Sequence, residues 1–146
     1  MLPPFATLLN EKRIIVSSKS TLMAIERHLL EQILVPTLAQ IHVDDEWYRT
    51  RYPDIGDAIA RNVVTDGKDH YVRFGYYEHR MPYFIQVDEP WYLDQYPDVR
   101  EAVRREELPS AQAHFEGSGF AEGRFPFPNF SFKADKDAAP PKRSSR

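Results

Sequence analysis

The sequence predicts an all-α protein: a leading amphipathic helix followed by two similar units of three short helices, with extended aromatic and proline-rich straps. Two observations support this prediction. Apolar residues recur at helical spacing over residues 20–35, and residues 43–82 reappear without a gap, 44 positions later, as residues 87–126. Such a duplication is typical of repeated helical units that bury their apolar faces on one another.

Composition shifts divide the chain into five expected segments. They are an extended N-terminal arm (1–19), an amphipathic helix and turn (20–42), repeat 1 (43–86), repeat 2 with an aromatic strap (87–132) and a disordered basic tail (133–146).

The N-terminal arm contains a β-branched run, Arg13–Ser17, that favours a short strand but cannot form a sheet alone. Pro36 is expected to end or kink the following helix, and Thr37 is expected to cap a further short turn. The apolar stripe of this helix is Leu22, Ile25, Leu29, Leu30 and Ile33.

Each repeat carries helix stops and caps at equivalent positions. Asp44 and Asp88 precede the first helix and can accept hydrogen bonds from its free N–H groups. The motif Tyr-Pro-Asp follows, in which proline ends the first helix and Asp54 or Asp98 caps the second.

The third helix of each repeat has its own boundary residues. Asp66 and Ser110 are expected to cap its start. Gly75 and Gly119 are expected to end it in the left-handed conformation, which glycine adopts without strain.

Charge and composition exclude several classes of protein. The net charge is −3 although the segment from Lys133 holds five basic and two acidic residues, so the body is more acidic than the whole chain. An acidic body argues against a broad nucleic-acid surface. Without cysteine there is no disulfide framework. Without a secretory leader or an apolar run of ~18 residues, a cytoplasmic protein is expected.

The repeated polar residues admit a catalytic interpretation and a structural one. A small hydrolase or transferase could use His114 with Asp98 or Glu122. The structural interpretation makes the histidines buried and hydrogen-bonded to backbone or carboxylate, and makes Glu78–Arg80 and Glu122–Arg124 ties for the exit turns. We favour the structural interpretation and predict no catalytic residue, cofactor or metal site, since no metal-ligand spacing occurs.

Aromatic residues open the helices of both repeats. They are Trp47, Tyr48, Trp91 and Tyr92. They could stack against sugar rings, which would make a glycan-binding module. Small helical units also need large side chains to fill their centres, so the core is the favoured place for these four residues.

The motif W-Y-x-x-x-Y-P-D-V/I, followed by H-F/Y and then G-x-x-E-G-R-x-P, resembles a known bacterial repeat. Residues 91–99, 114–115 and 119–126 match it well, whereas His79 stands in repeat 1 where the motif has glycine. The resemblance covers residues 43–127. It is to modules, often in tandem, attached to bacterial glycosyltransferases and rhamnan-synthesis-type proteins, and found in some large surface proteins. It implies an accessory module whose catalytic domain lies elsewhere.

The sequence therefore favours a non-catalytic interaction or scaffold protein of a larger bacterial assembly, plausible in cell-envelope polysaccharide machinery. A protein partner or a second copy would bind the leading helix, the strap or the tail. The candidate partner-binding residues are Leu22, Ile25, Leu29, Ile33, Phe130, Phe132, Lys142 and Arg143.

Overall fold

A computed structural model describes residues 5–17, 19 and 21–136. The chain divides into two compact units, unit 1 (residues 1–38) and unit 2 (residues 39–146). The elements of unit 1 are α1 (Phe5–Asn10), β1 (Ile14–Val16), β2 (Met23–Ile25) and α2 (Arg27–Leu38). Those of unit 2 are α3 (Asp45–Arg51), α4 (Asp54–Ala60), α5 (Gly67–His70), α6 (Glu89–Gln95), α7 (Pro97–Arg104) and α8 (Ala111–His114).

Unit 1 contains a two-stranded antiparallel sheet, so the prediction of an all-α fold was wrong. Strand β1 pairs with β2 in the register Ile14↔Ile25, Ile15↔Ala24 and Val16↔Met23. The β-branched run needs a partner for its backbone groups, and residues 23–25 supply it. An ion pair between Arg13 Nε and Glu26 Oε2, at 2.6 Å, closes the open end of this hairpin.

The leading helix is shorter than the sequence predicted. Helix α2 begins at Arg27, so Leu22 precedes a strand and Ile25 lies within one. In a short apolar run, periodicity alone cannot distinguish a helix from a strand. At the other end, α2 continues through Pro36 to Leu38, which places Thr37 inside the helix and not at a new cap.

The core of unit 1 is small and made by residues far apart in the sequence. Leu8 of α1, Ile14 of β1 and Leu29 of α2 are buried together, with Ile25 packed against them. Helix α1 lies in the segment expected to be an extended arm. Leu29 is fully buried, so this member of the predicted partner-binding stripe is a core residue.

Unit 2 contains the two repeats, each with three short helices. The aspartates at 44 and 88 cap α3 and α6 as predicted, accepting hydrogen bonds from the N–H of Trp47 (3.0 Å) and Trp91 (3.2 Å). Asp66 and Ser110 likewise cap the third helices α5 and α8. Each third helix then continues as a π-helical turn, Tyr71–Gly75 in repeat 1 and Phe115–Gly119 in repeat 2.

Large aromatic side chains fill the centre of each repeat. Tyr48, Ile55 and Tyr71 are fully buried in repeat 1. The core of repeat 2 contains Tyr92 and Phe115, and the segment 81–87 that joins the repeats adds buried side chains to it. These side chains are Met81, Tyr83, Ile85 and Val87. The joining segment is therefore part of the core and not a free linker.

The C-terminal strap folds back to the start of unit 2. Phe127, Phe130 and Phe132 pack on the core of repeat 2. Beyond them, the N–H of His42 donates to the carbonyl of Lys133 at 2.8 Å, and Ile41 forms an antiparallel bridge with Ala134. Residues 133–136 were expected in a disordered tail but pair with residues 40–42, whereas residues 137–146 lie outside the described residues.

Candidate functional site

A hydrogen bond between a buried tyrosine and a histidine occurs in each repeat, fully buried in repeat 1 and partly buried in repeat 2. Tyr48 Oη lies 3.0 Å from His70 Nδ1, and Tyr92 Oη lies 2.9 Å from His114 Nδ1. Burial raises the pKa of Tyr92 to about 12. Burial, reinforced by the nearby Arg80 charge, lowers the pKa of His70. The structural interpretation of the histidines fits this arrangement, but their partner is a tyrosine hydroxyl and not the expected backbone or carboxylate.

The two glycines that follow these histidines lie against the tyrosine hydroxyls. A Cβ atom on Gly75 would collide with Tyr48 Oη, and one on Gly119 would collide with Tyr92 Oη. Neither glycine has a positive φ, so the expectation of left-handed helix ends was wrong. Glycine is needed here because a hydroxyl takes the space of a side chain.

Each repeat has a left-handed residue in the exit turn that follows, besides the left-handed Asn62 and Glu106 that follow α4 and α7. Gly123 has a φ of +77° and its counterpart, His79, has a φ of +58°. The backbone at this motif position is thus left-handed in both repeats, whether the residue is glycine or His79. Histidine tolerates this conformation better than most residues, although with more strain than glycine.

An arginine in each exit turn binds two carboxylates, which together we call the triad of that repeat. Arg80 donates to both oxygens of Asp54 at 2.8 and 2.7 Å, and its Nε lies 2.7 Å from Glu78 Oε2. Arg124 pairs in the same way with Asp98, at 2.8 and 2.6 Å, and with Glu122, at 2.7 Å. These bonds tie the exit turns to α4 and α7.

The aspartates of the triads were predicted to be helix caps, and that prediction was wrong. Asp54 is the first residue of α4 and Asp98 the second of α7, and neither N-cap residue makes a side-chain capping bond. The bidentate pair with arginine takes both carboxylate oxygens. The hydrogen bond from Arg124 lowers the pKa of Asp98 to about 2.

We expect acid to weaken this tie. The carboxyl of Asp98 has a lower pKa folded than the ~3.9 of an unfolded aspartate, so its contribution to stability is complete above ~pH 4 and lost as the pH falls towards 2. The loss should be about 1 kcal/mol or less, because the carboxylate is mostly exposed. Urea unfolding at pH 5, 3 and 2 should show a shallower decline for Asp98→Asn than for the wild type. Asp94→Asn controls for removing one surface charge, and equal slopes for Asp98→Asn and the wild type would contradict the assignment.

The catalytic alternative requires His114 to act with Asp98 or Glu122. The structure instead gives His114 hydrogen bonds to Tyr92 and, at 3.3 Å, to Ser118 Oγ. Both carboxylates are bound by Arg124. The three side chains therefore engage other groups and not one another.

The four aromatic residues named from the sequence for a glycan platform differ in their exposure. Tyr48 and Tyr92 are fully buried. Trp47 and Trp91 are partly buried and pack against the cores of the repeats. The two tyrosines are thus core side chains, whereas the two tryptophans keep part of their surface exposed.

The predicted partner-binding residues are dispersed by the fold. Leu22 is 77% exposed and Ile33 lies partly exposed on α2, whereas Leu29 is buried. Phe130 and Phe132 pack on repeat 2. Lys142 and Arg143 lie outside the described residues.

Sequence reasoning missed an exposed apolar surface on the hairpin of unit 1. It consists of Val16 and Met23, which share one face of the sheet, and we call it the hairpin surface. Ile15 and Leu22 are also exposed, but Ile15 points to the opposite face. Met23 is 56% exposed and is paired with Val16 in the sheet register. The β-branched run of β1 was the available signal, but its pairing with residues 23–25 could not be seen without the fold.

The described residues form neither a metal-binding cluster nor a membrane-spanning helix. In residues 5–17, 19 and 21–136, no group of three or more histidine or acidic side chains is placed to hold a metal ion. Over the same part of the chain, no helix combines the length and the apolar character needed to cross a membrane.

Comparison with known proteins adds no relative: no family model, curated protein or solved structure matches this chain.

Proposed function

We propose that this chain is a non-catalytic interaction protein that binds a protein partner through unit 1. The observation that carries the proposal is the internal use of the repeated polar residues. In both repeats the histidine binds a buried tyrosine and the arginine binds two carboxylates, at nearly equal distances. Side chains held in this way stabilise a fold, and they are poorly placed to transfer protons to a substrate.

The hairpin surface supports the assignment of unit 1 as the binding region. Two-stranded hairpins are marginally stable alone and gain from cover on their apolar face. Exposed apolar side chains that lie side by side, such as the paired Val16 and Met23, are typical of protein interaction sites. A partner with an apolar face of its own would bury this surface.

The repeat motif supports a setting for this interaction. Its resemblance to accessory modules of bacterial glycosyltransferases and rhamnan-synthesis-type proteins favours a cytoplasmic scaffold of cell-envelope polysaccharide machinery. The partner would then be a protein that makes or exports such a polymer.

Variants of the hairpin surface test the proposal. The tagged full chain is used to isolate partners from its native cells, and the recovered protein is then purified and titrated by calorimetry. Because a buried charge opposes association, Val16→Glu and Met23→Glu should each weaken this binding by about tenfold or more. Thr21→Glu places the same charge on an adjacent exposed polar residue and should leave the affinity nearly unchanged.

Two results would contradict the proposal. Equal affinity of Val16→Glu, Met23→Glu and the wild type would place the partner elsewhere on the chain. Turnover of a sugar-nucleotide or glycoside by the purified chain, lost in His114→Gln, would replace the interaction role by the catalytic alternative.

A further inference from the structure

An aromatic cleft lies where the two repeats meet, within unit 2. It has a volume of about 370 Å³ and is lined by rings from both repeats and from the strap. Tyr76, Phe120, Phe125 and Phe130 are among these rings, and Phe125 is 48% exposed. A concave site of this size, mainly apolar with a few polar groups, is typical of small-ligand binding.

A buried hydroxyl in the wall of this cleft has no structural explanation. Tyr71 lines the cleft and is fully buried, and its Oη has no hydrogen-bond partner among the described residues. Leaving a buried hydroxyl unpaired costs about 1–3 kcal/mol. The side chain is therefore less favourable for folding than one without the hydroxyl.

Repeat 2 shows that the fold does not need this hydroxyl. Phe115 stands at the equivalent position and packs in the same way: its ring is edge-on to Tyr92 at 6.1 Å, as Tyr71 is to Tyr48 at 6.0 Å. The hydroxyl is thus present only in repeat 1. Of the two equivalent residues, Tyr71 lines the aromatic cleft and Phe115 does not. Its use must lie outside the packing of the core.

A polar cleft of about 420 Å³ continues the aromatic one. The two share His79, Arg80 and Phe120 as walls, and the polar cleft adds Asp54 and Glu78. A ligand that spans both would meet aromatic rings on one side and paired donors and acceptors on the other.

The charges at the junction disfavour an anionic ligand. Arg80 and Arg124 both line the aromatic cleft, but each is matched by two carboxylates, so each triad carries one net negative charge. The bonds within each triad use three of the five N–H donors of its guanidinium. Such a site repels carboxylates and phosphates yet can still exchange hydrogen bonds with neutral groups.

We propose that the junction cleft binds a neutral oligosaccharide. A pyranose ring has an apolar C–H face, which suits the Tyr and Phe rings, and a rim of hydroxyls that both donate and accept, which suits the triad of repeat 1. One hydroxyl of the sugar pairs with Tyr71 Oη, which is closed off in the free structure, so binding must move a neighbouring ring of the cleft aside. The site uses none of Trp47, Tyr48, Trp91 or Tyr92, and it goes beyond the protein-binding role proposed above without depending on it.

Titration with neutral oligosaccharides tests the proposal. Maltotetraose, cellotetraose and mannotetraose are added to the ¹⁵N-labelled full chain, with tetragalacturonate as the anionic comparison. At least one neutral sugar should give saturable amide shifts concentrated in residues 76–80 and 119–125. Tyr71→Phe should weaken this binding by about tenfold, the value of one hydrogen bond, without lowering the melting temperature.

Matched variants separate sugar binding from folding. Phe125→Met introduces the residue that repeat 1 has at this position and should weaken binding by about threefold, through loss of an aromatic face. Phe84→Met changes an equally exposed aromatic residue outside the cleft and should have no effect on binding.

Three results would overturn the proposal. They are the absence of saturable shifts with every neutral sugar, equal affinity of Tyr71→Phe and the wild type, and tighter binding of tetragalacturonate than of any neutral sugar. None of them bears on the partner titration with the hairpin variants, so the two proposals fail separately.

Discussion

Replacing Gly75 or Gly119 with alanine is expected to destabilise unit 2 by about 3 kcal/mol. The added methyl group would collide with the hydroxyl of Tyr48 or Tyr92, which is held in place by its bond to a histidine. Moving the tyrosine breaks a buried hydrogen bond, and leaving it in place strains the π-helical turn. Overpacking and an unpaired buried polar group each cost about 1–3 kcal/mol.

Two other glycines provide matched controls for this experiment. No atom lies within 4 Å of a Cβ built on Gly56, in α4, or on Gly117, in the π-helical turn of repeat 2. Alanine at these positions should be neutral or stabilising by about 0.5–1 kcal/mol, because it restricts the unfolded chain. Urea unfolding at pH 7 measures all four variants, and similar free energies for all of them would contradict the role of the tyrosine hydroxyls.

Leu29→Ala is expected to destabilise unit 1 by about 2–5 kcal/mol, enough to unfold so small a core. The side chain is fully buried and contacts Leu8 and Ile14, which come from two other elements. Hydrogen exchange of the amides of α1, β1 and α2 should become fast in this variant. The amides of the repeats provide an internal reference.

Leu22→Ala is the control for Leu29→Ala, since both leucines belong to the stripe read from the sequence. Leu22 is 77% exposed, so its truncation should change stability by no more than about 0.5 kcal/mol. If Leu29→Ala left amide hydrogen exchange unchanged and only weakened partner binding, the assignment of Leu29 to the core would be wrong and the stripe would be a docking face.

The sequence alone predicted most of unit 2 because its signals are local. A cap such as Asp44 or Ser110 bonds to an N–H three residues away. The first helix of each repeat ends shortly before a proline, Pro53 or Pro97, because the residue before proline disfavours the helical conformation. Three helices per repeat follow from these signals. The duplication then tests each predicted helix start and end, since the same signal should be present at the equivalent position of the other repeat.

Predictions from the sequence were wrong where a residue that fits a local pattern contacts a residue far away in the sequence instead. Asp54 follows proline at a helix start and satisfies the pattern of a cap, yet its partner is Arg80, 26 residues away. Gly75 stands near a helix end, but its neighbour is Tyr48 Oη, which no local rule predicts. The spacing of Leu22, Ile25 and Leu29 fits a helix, but the strand Ile14–Val16 required pairing and residues 23–25 supplied it.

The duplicated motif thus determined by itself that each repeat has three helices and where the first and third of them begin, because those features depend on residues within one turn of each other. Only the tertiary structure decided what the repeated polar residues do, because their partners lie 22 to 26 residues away. It also gave meaning to one of the positions where the copies differ, Tyr71 and Phe115. That difference is one hydroxyl in the sequence, and its importance comes from the cleft that the joined repeats create around it.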